Sequence, residues 1–208
     1  MKNLQFKQLL LLSDTQKKAN QFLFQKRFNL ITADDNSVGK STLAKLLLWT
    51  FGCEPDFDST WKSTDCKCLV DFSIDGTNYK ILRYQNFISL KEENQEILKY
   101  TNIGGDYSKK FAELVDFKVL LPKRGSDETE LVTPPPAYYF LPFYMDQKNS
   151  WSKTWNSFGK LGQFDSWQKT VIKYHLGYLS PKHFELEQDL SDNKRQINEL
   201  NQEVEKIG

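Results

Sequence analysis

Residues 4–12 first alternate apolar with polar positions and then become continuously apolar; residues 22–24 (Phe-Leu-Phe) and 28–32 are two further apolar runs. Together they predict strands of a buried sheet. A polar loop at residues 34–40 follows at once. Over residues 42–51 the apolar positions, among them Leu43, Leu46 and Leu47, recur with a helical period in good helix formers, and Gly52 is placed to end the helix. Strand, glycine-containing loop and helix in that order are what a phosphate-binding loop requires.

Farther along, residues 68–74 (CLVDFSI) and 79–84 alternate around Asp75-Gly76, a strong hairpin signal, and residues 87–90 offer a third strand. A β-meander is expected there. Asp106-Tyr107-Ser108 reads as the entry to a short helix ending near Phe117, followed by a polar loop at residues 123–130. Pro134, Pro135 and Pro136 stiffen the chain into an extended segment. The aromatic run 138–144 (YYFLPFY) predicts a buried strand, with Pro142 marking an edge or a bend.

From Pro181 the composition turns to Glu, Gln, Asp, Asn and Lys, with Leu186, Leu190, Ile197, Leu200, Val204 and Ile207 on steps of the heptad kind. One core slot holds Asn193 or Lys194. The pattern predicts the start of a coiled coil, with a long amphipathic helix packed on a globular domain as the competing reading. It stops at Gly208 in mid-pattern, as a truncated chain would.

The 208 residues, 39% hydrophobic and 14% aromatic, are enough for one substantial domain and an extension. Lys and Arg number 28 against 27 Asp and Glu, so any attraction to nucleic acid or membrane must be local. Cys53, Cys66 and Cys68 lack framework or zinc-finger spacing, which fits a reduced, cytoplasmic setting. No apolar window has the length of a secretory h-region or a membrane span, so a soluble protein is expected. His175 and His183 have no nearby cysteine and do not suggest a metal site. No nucleophile triad is visible.

The phosphate-loop pattern is Gly, four residues, then Gly-Lys-Ser/Thr. Its second half is intact as Gly39-Lys40-Ser41, while Asp34 stands at the first position. The chemistry calls for backbone N–H groups aimed at phosphate, a lysine to neutralise the β- and γ-oxygens, and a hydroxyl for Mg²⁺. Asn36, Ser37, Val38, Gly39, Lys40, Ser41 and Thr42 supply this set at a helix N-terminus. The tripeptide alone would arise by chance in roughly one chain in ten of this length, so its strand–loop–helix context carries the reading.

The phosphate loop, the meander after its helix and the coil-like helix near residue 181 together resemble the N-terminal half of the SMC and double-strand-break-repair ABC ATPases. The resemblance implies an ABC-type P-loop NTPase head lobe of α/β class with an antiparallel β subdomain, residues 1–180, and the start of a coiled coil, residues 181–208. It also implies a Q-loop about a hundred residues after the phosphate loop. The stretch YYFLPFYMDQ matches that arrangement and nominates Gln147 beside Lys40 as catalytic, with Ser41 and Gln147 holding Mg²⁺; Asp146 is a second candidate. Lys17 and Lys18 lie where such families place a loop near the base and ribose, though solvated lysines are the competing reading. Asp35-Asn36-Ser37-Val38-Gly39-Lys40-Ser41-Thr42, PPPAY and LPFY look like a bacterial branch that includes Lamassu-type anti-phage and anti-plasmid systems.

No Asp-Glu pair ends an apolar strand and no Ser-Gly-Gly signature occurs in this chain. In the resembled family those motifs lie in a C-terminal half. The expected activity is therefore ATP hydrolysis only as a composite of that half and a second head, with ATP and Mg²⁺ as cofactors and a homodimer, DNA and accessory subunits as partners. Trp151, Trp155 and Trp167 among Lys148, Lys153, Lys160 and Lys169 form an aromatic-basic mixture that could touch nucleic acid or pack near the coil base. Two alternatives stay open: a stand-alone small P-loop NTPase, and an interaction module with a degenerate phosphate loop.

Overall fold

The computed structural model describes residues 2–35, 39–125, 130–148, 150 and 155–207, except the side chains of Lys62 and Ile207. The chain is of mixed α/β class and forms two compact units, one of residues 1–117 with 135–159, the other of residues 118–134 with 160–208.

The first unit is built on a six-stranded antiparallel sheet of β1 (Leu4–Ser13), β2 (Lys18–Leu23), β3 (Cys66–Ile74), β4 (Thr77–Tyr84), β5 (Phe87–Glu92) and β6 (Ile97–Tyr100), ordered β2-β1-β3-β4-β5-β6. The expected meander is present, extended by β6. The first strands do not form a sheet of their own but continue the meander's sheet, with Leu9 opposite both Phe22 and Val70. Asp75 and Gly76 turn the β3–β4 hairpin with φ of 48° and 92°, the positive angles that match the twist of a two-residue hairpin.

Residues 28–33 are not a strand, contrary to the pattern's prediction. A strand exists only where a neighbour completes its backbone ladder, and these residues pair with none of the described strands. Phe28 and Leu30 accordingly stand 91% and 89% exposed.

Helix α1 (Lys40–Thr50) begins at the Gly39-Lys40-Ser41 motif. Gly39 precedes it in the left-handed region at φ 90°, and the Leu43 amide donates to the Gly39 carbonyl at 2.9 Å. Gly52, at φ 94°, closes it as expected. Its amide donates to the Trp49 carbonyl at 2.9 Å and the Cys53 amide to the Leu48 carbonyl at 3.2 Å, the paired bonds of a glycine-terminated helix. Phe51 then enters the core, where its ring centroid lies 5.6 Å from Phe6, 4.9 Å from Phe72, 6.2 Å from Phe111 and 5.7 Å from Phe140, all edge-on. Phe111 belongs to α2 (Asp106–Val115), the helix predicted from Asp106.

The aromatic run is buried over residues 138–141 but is not a strand. Pro136 already has helical angles, and α3 (Ala137–Phe140) continues into a 3₁₀ turn, Leu141–Phe143. Prolines at 136 and 142 fall where no amide donor is needed, at the starts of the two turns. Helical winding puts Tyr138, Tyr139, Phe140 and Leu141 into the core and leaves Phe143 exposed.

The second unit holds a two-stranded ladder, β7 (Leu121–Pro122) with β8 (Leu131–Val132), and helices α4 (Trp167–His175) and α5 (Pro181–Ile207). Its core includes Val119, Leu121, Leu161, Phe164, Trp167, Val171 and Phe184. The predicted heptad segment is helical, and Leu186, Leu190, Ile197, Leu200 and Val204 are exposed along it. No described helix is long and apolar enough to cross a membrane.

Candidate functional site

Gly39, Lys40, Ser41 and Thr42 occupy the start of α1, where unbonded amides and the helix dipole favour an anion. Ser41 is exposed and Thr42 half-buried. The Lys40 ammonium donates to the Asp35 carbonyl at 2.7 Å. Asn36, Ser37 and Val38 lie outside the described residues. Asp34 is not among the residues held at positive φ, so its replacement of the usual glycine meets no left-handed requirement.

The second element is the turn around Asp146, which the topology brings against α1. The Asp146 side chain is 2% exposed and faces the Lys45 ammonium at 3.5 Å. Its carboxylate also accepts from the Tyr144 hydroxyl at 3.3 Å and the Lys148 amide at 3.0 Å. The Asp146 amide donates to Ser150 Oγ at 2.8 Å, Ser150 and Ser157 share a hydroxyl hydrogen bond of 2.9 Å, and Ser157 donates to the Tyr144 carbonyl at 2.8 Å. Burial, helped by the Asp146 charge, pushes the Tyr144 phenol well up, so it stays protonated and donating. Lys45 also donates to the Asp56 carbonyl at 2.5 Å, and the Asp56 carboxylate pairs with Lys148 at 2.8 Å. These bonds close a ring through α1, the segment after it and the 144–150 turn.

Lys45 lies four residues beyond Ser41, one helical turn along the same face of α1. The ring therefore fastens the segment carrying Gln147 to the face that carries Ser41. Gln147 itself is exposed. The structure thus ties the segment carrying Gln147 to α1 through Lys45 and Asp146; the sequence offers Asp146 as a second candidate and gives Lys45 no role. The available signal was the spacing of a lysine one turn after Ser41 on an otherwise apolar helix.

A buried cation supports the far end of α1. Arg83, 2% exposed, donates to the carbonyls of Trp49 at 2.5 Å, Cys53 at 3.0 Å and Gln85 at 2.9 Å. It pairs with Glu54 at 2.6 Å and lies 4.4 Å over the Trp49 ring. It satisfies carbonyls at the helix C-terminus, where cations are favoured. Alternation in β4 announces it, because Tyr79, Ile81 and Arg83 share the inward face.

The other candidates are less engaged. Lys17 and Lys18 are exposed, Lys17 in the β1–β2 turn at φ 49° and Lys18 opening β2. Trp167 is in the second unit's core, in keeping with packing, while Trp151 and Lys153 lie outside the described residues. Burial pushes the Cys68 thiol up to about 12 and Cys53 well above its usual range, which disfavours both as nucleophiles. Among the described residues no group of three His, Cys, Asp or Glu is gathered for a metal ion.

No protein-family model matches the chain. A sequence comparison gives 27% identity over 180 residues to a Lamassu protein LmuB of Bacillus cereus (strain VD014), covering 86% of this chain. The chain is similar to Lamassu proteins LmuB. A second LmuB, from a Bacillus sp. strain, is 27% identical over 136 residues, 65% of this chain. The matches cover 31% and 23% of those proteins, so the chain spans less than a third of the curated relatives it matches.

Proposed function

We propose that this chain is the N-terminal half of an SMC-like ABC ATPase head serving a Lamassu-type anti-phage or anti-plasmid defence system. The observation that carries the reading is the attachment of the 144–150 turn to α1: Lys45 and Asp146 put the Q-segment on the face of the helix whose first residues are Lys40 and Ser41. A fortuitous Gly-Lys-Ser would have no reason to be tied to a glutamine-bearing turn about a hundred residues away. The similarity to LmuB supports the family placement.

In this reading ATP is held by residues 36–42. Backbone amides of residues 38–41 would bind phosphate, Lys40 would exchange the Asp35 carbonyl for phosphate oxygens, and Ser41 and Gln147 would hold Mg²⁺. Exposed hydroxyl and amide oxygens suit that hard cation, which would supply neutralisation of phosphate charge. No apolar run of the sequence ends in an Asp-Glu pair to position the attacking water, so hydrolysis belongs to a composite with the C-terminal half of the head and a second head. The exposed Phe28 and Leu30 just before the phosphate loop suit a segment that becomes a strand when that half adds a neighbour.

Binding then drives engagement of two heads, because ATP shared between one head's phosphate loop and the other's signature motif favours the closed state by its extra contacts there. Residues 1–180 serve as head lobe and residues 181–208 begin a coiled-coil arm. DNA and accessory or effector subunits are the expected further partners, in the cytoplasm. Mixing the chain with a separately produced C-terminal half from the same protein tests the composite: ATP turnover appears in the mixture and is lost with Lys40→Ala, whereas equal turnover by the lone chain would sink the half-head reading.

A further inference from the structure

We propose that Asp146 and Lys45 are positioning residues for Mg²⁺, acting through Gln147. The inference rests on the nucleotide site proposed above and adds to it the pair of residues that sets where the glutamine stands. Gln147 is exposed, so its own surroundings do little to fix it. Its immediate neighbour is among the most constrained polar residues in the first unit.

Asp146 receives the Lys45 ammonium, the Tyr144 hydroxyl and the Lys148 amide on its carboxylate, and its own amide is tied to Ser150. Consecutive Cα atoms are about 3.8 Å apart, so fixing the backbone of 146 and 148 fixes that of 147 between them. The point of attachment is also informative. Lys45 is one turn beyond Ser41, about 6 Å along the helix axis, on the same side. Its ammonium has a second partner in the Asp56 carbonyl, which holds it in place while Asp146 leans on it. An ion pair between a 2%-exposed carboxylate and a 16%-exposed lysine is weak grounds for stability, since desolvation offsets much of the attraction. What the pair does well is fix a register: it sets the height of the Gln147 turn on α1 relative to Ser41. Outer residues that orient metal ligands commonly change metal affinity by about 10- to 100-fold when altered.

The test is calorimetric titration of the chain with ATP, in Mg²⁺ and in EDTA, for wild type, Lys40→Ala, Gln147→Ala, Asp146→Asn, Lys45→Gln, Lys45→Arg and the double variant Asp146→Asn with Gln147→Ala. Asp146→Asn and Lys45→Gln should each weaken Mg²⁺-ATP by about tenfold, approaching Gln147→Ala, and leave ATP in EDTA unchanged. Lys45→Arg should restore most of the loss, and the double variant should be no weaker than Gln147→Ala alone, since both changes disable one ligand. Should Asp146→Asn fail to fold, Lys45→Gln carries the same comparison from the more exposed side. Wild-type Mg²⁺-ATP affinity in Lys45→Gln, or equal losses with and without Mg²⁺, would overturn the positioning role while Lys40→Ala still abolished binding. Loss of discrimination by Lys40→Ala itself would instead remove the nucleotide site, and this inference with it.

Discussion

Replacing Arg83 by Met keeps most of the side-chain volume and removes every donor. The guanidinium now reaches the carbonyls of Trp49, Cys53 and Gln85 and the Glu54 carboxylate, and covers the Trp49 ring. Trp49 keeps a second donor in the Gly52 amide, so its loss is partial. The buried contact to the Cys53 carbonyl is costlier, at about 1 to 3 kcal/mol for an orphaned acceptor. The ring contact adds about 1 kcal/mol. Glu54, 29% exposed, can turn to water, and relief of the guanidinium's own desolvation offsets part of the total. The expected net loss is about 2 to 3 kcal/mol. In urea, followed by tryptophan fluorescence, that moves the midpoint down by about 1 M for a slope of about 2 kcal/mol/M. Glu54→Gln, which leaves the carbonyl contacts intact, should cost less than about 1 kcal/mol. A shift below about 0.3 M for Arg83→Met would refute the view that this cation completes the C-terminus of α1.

Two further outcomes follow from the geometry. Gly52→Ala should destabilise the chain by about 1 to 2 kcal/mol, measured by the same unfolding, because an L-residue resists positive φ and its Cβ would come within 3.0 Å of Ile103 and 3.1 Å of Tyr107. The Lys148 ammonium holds the Asp56 carboxyl below the usual carboxylate range, first through their hydrogen bond. A folded-state value below the unfolded one means the pair contributes above the unfolded value and loses that contribution as pH falls through the folded one. A carboxyl NMR titration should therefore find Asp56 titrating low, and back in the ordinary range in Lys148→Met; an unchanged midpoint would show that the surface pair is not formed in solution.

Local periodicity made β1, α1, the Asp75-Gly76 hairpin and the helical character of residues 181–207 legible, because each carries its own apolar stripe and its own stop signal. What pattern alone could not supply was partnership. Residues 28–32 read as a buried strand since Phe28, Leu30 and Ile31 are apolar, but burying them as a strand takes a neighbour, and they pair with none of the described strands. In the run at 138–144 the pattern predicts a buried strand, but residues 138–141 are buried in helical turns: aromatic residues favour strands on average, and Pro136 and Pro142 outweigh that preference by starting the turns. At the candidate site, Gly39, Lys40 and Ser41 were recognisable from type and spacing. For Lys45 and Arg83, spacing on α1 and alternation in β4 mark only the positions, while what they bind lies across 101 and 34 residues of chain, which no local window contains.

The most direct test of the account is Mg²⁺-dependent ATP binding by this chain, measured by calorimetry against Lys40→Ala. The account predicts a saturable one-site binding heat for the wild type and none for Lys40→Ala at equal fold stability. Absence of binding by a folded wild-type chain, or identical binding by both, would contradict the claim that residues 36–42 are a working nucleotide site.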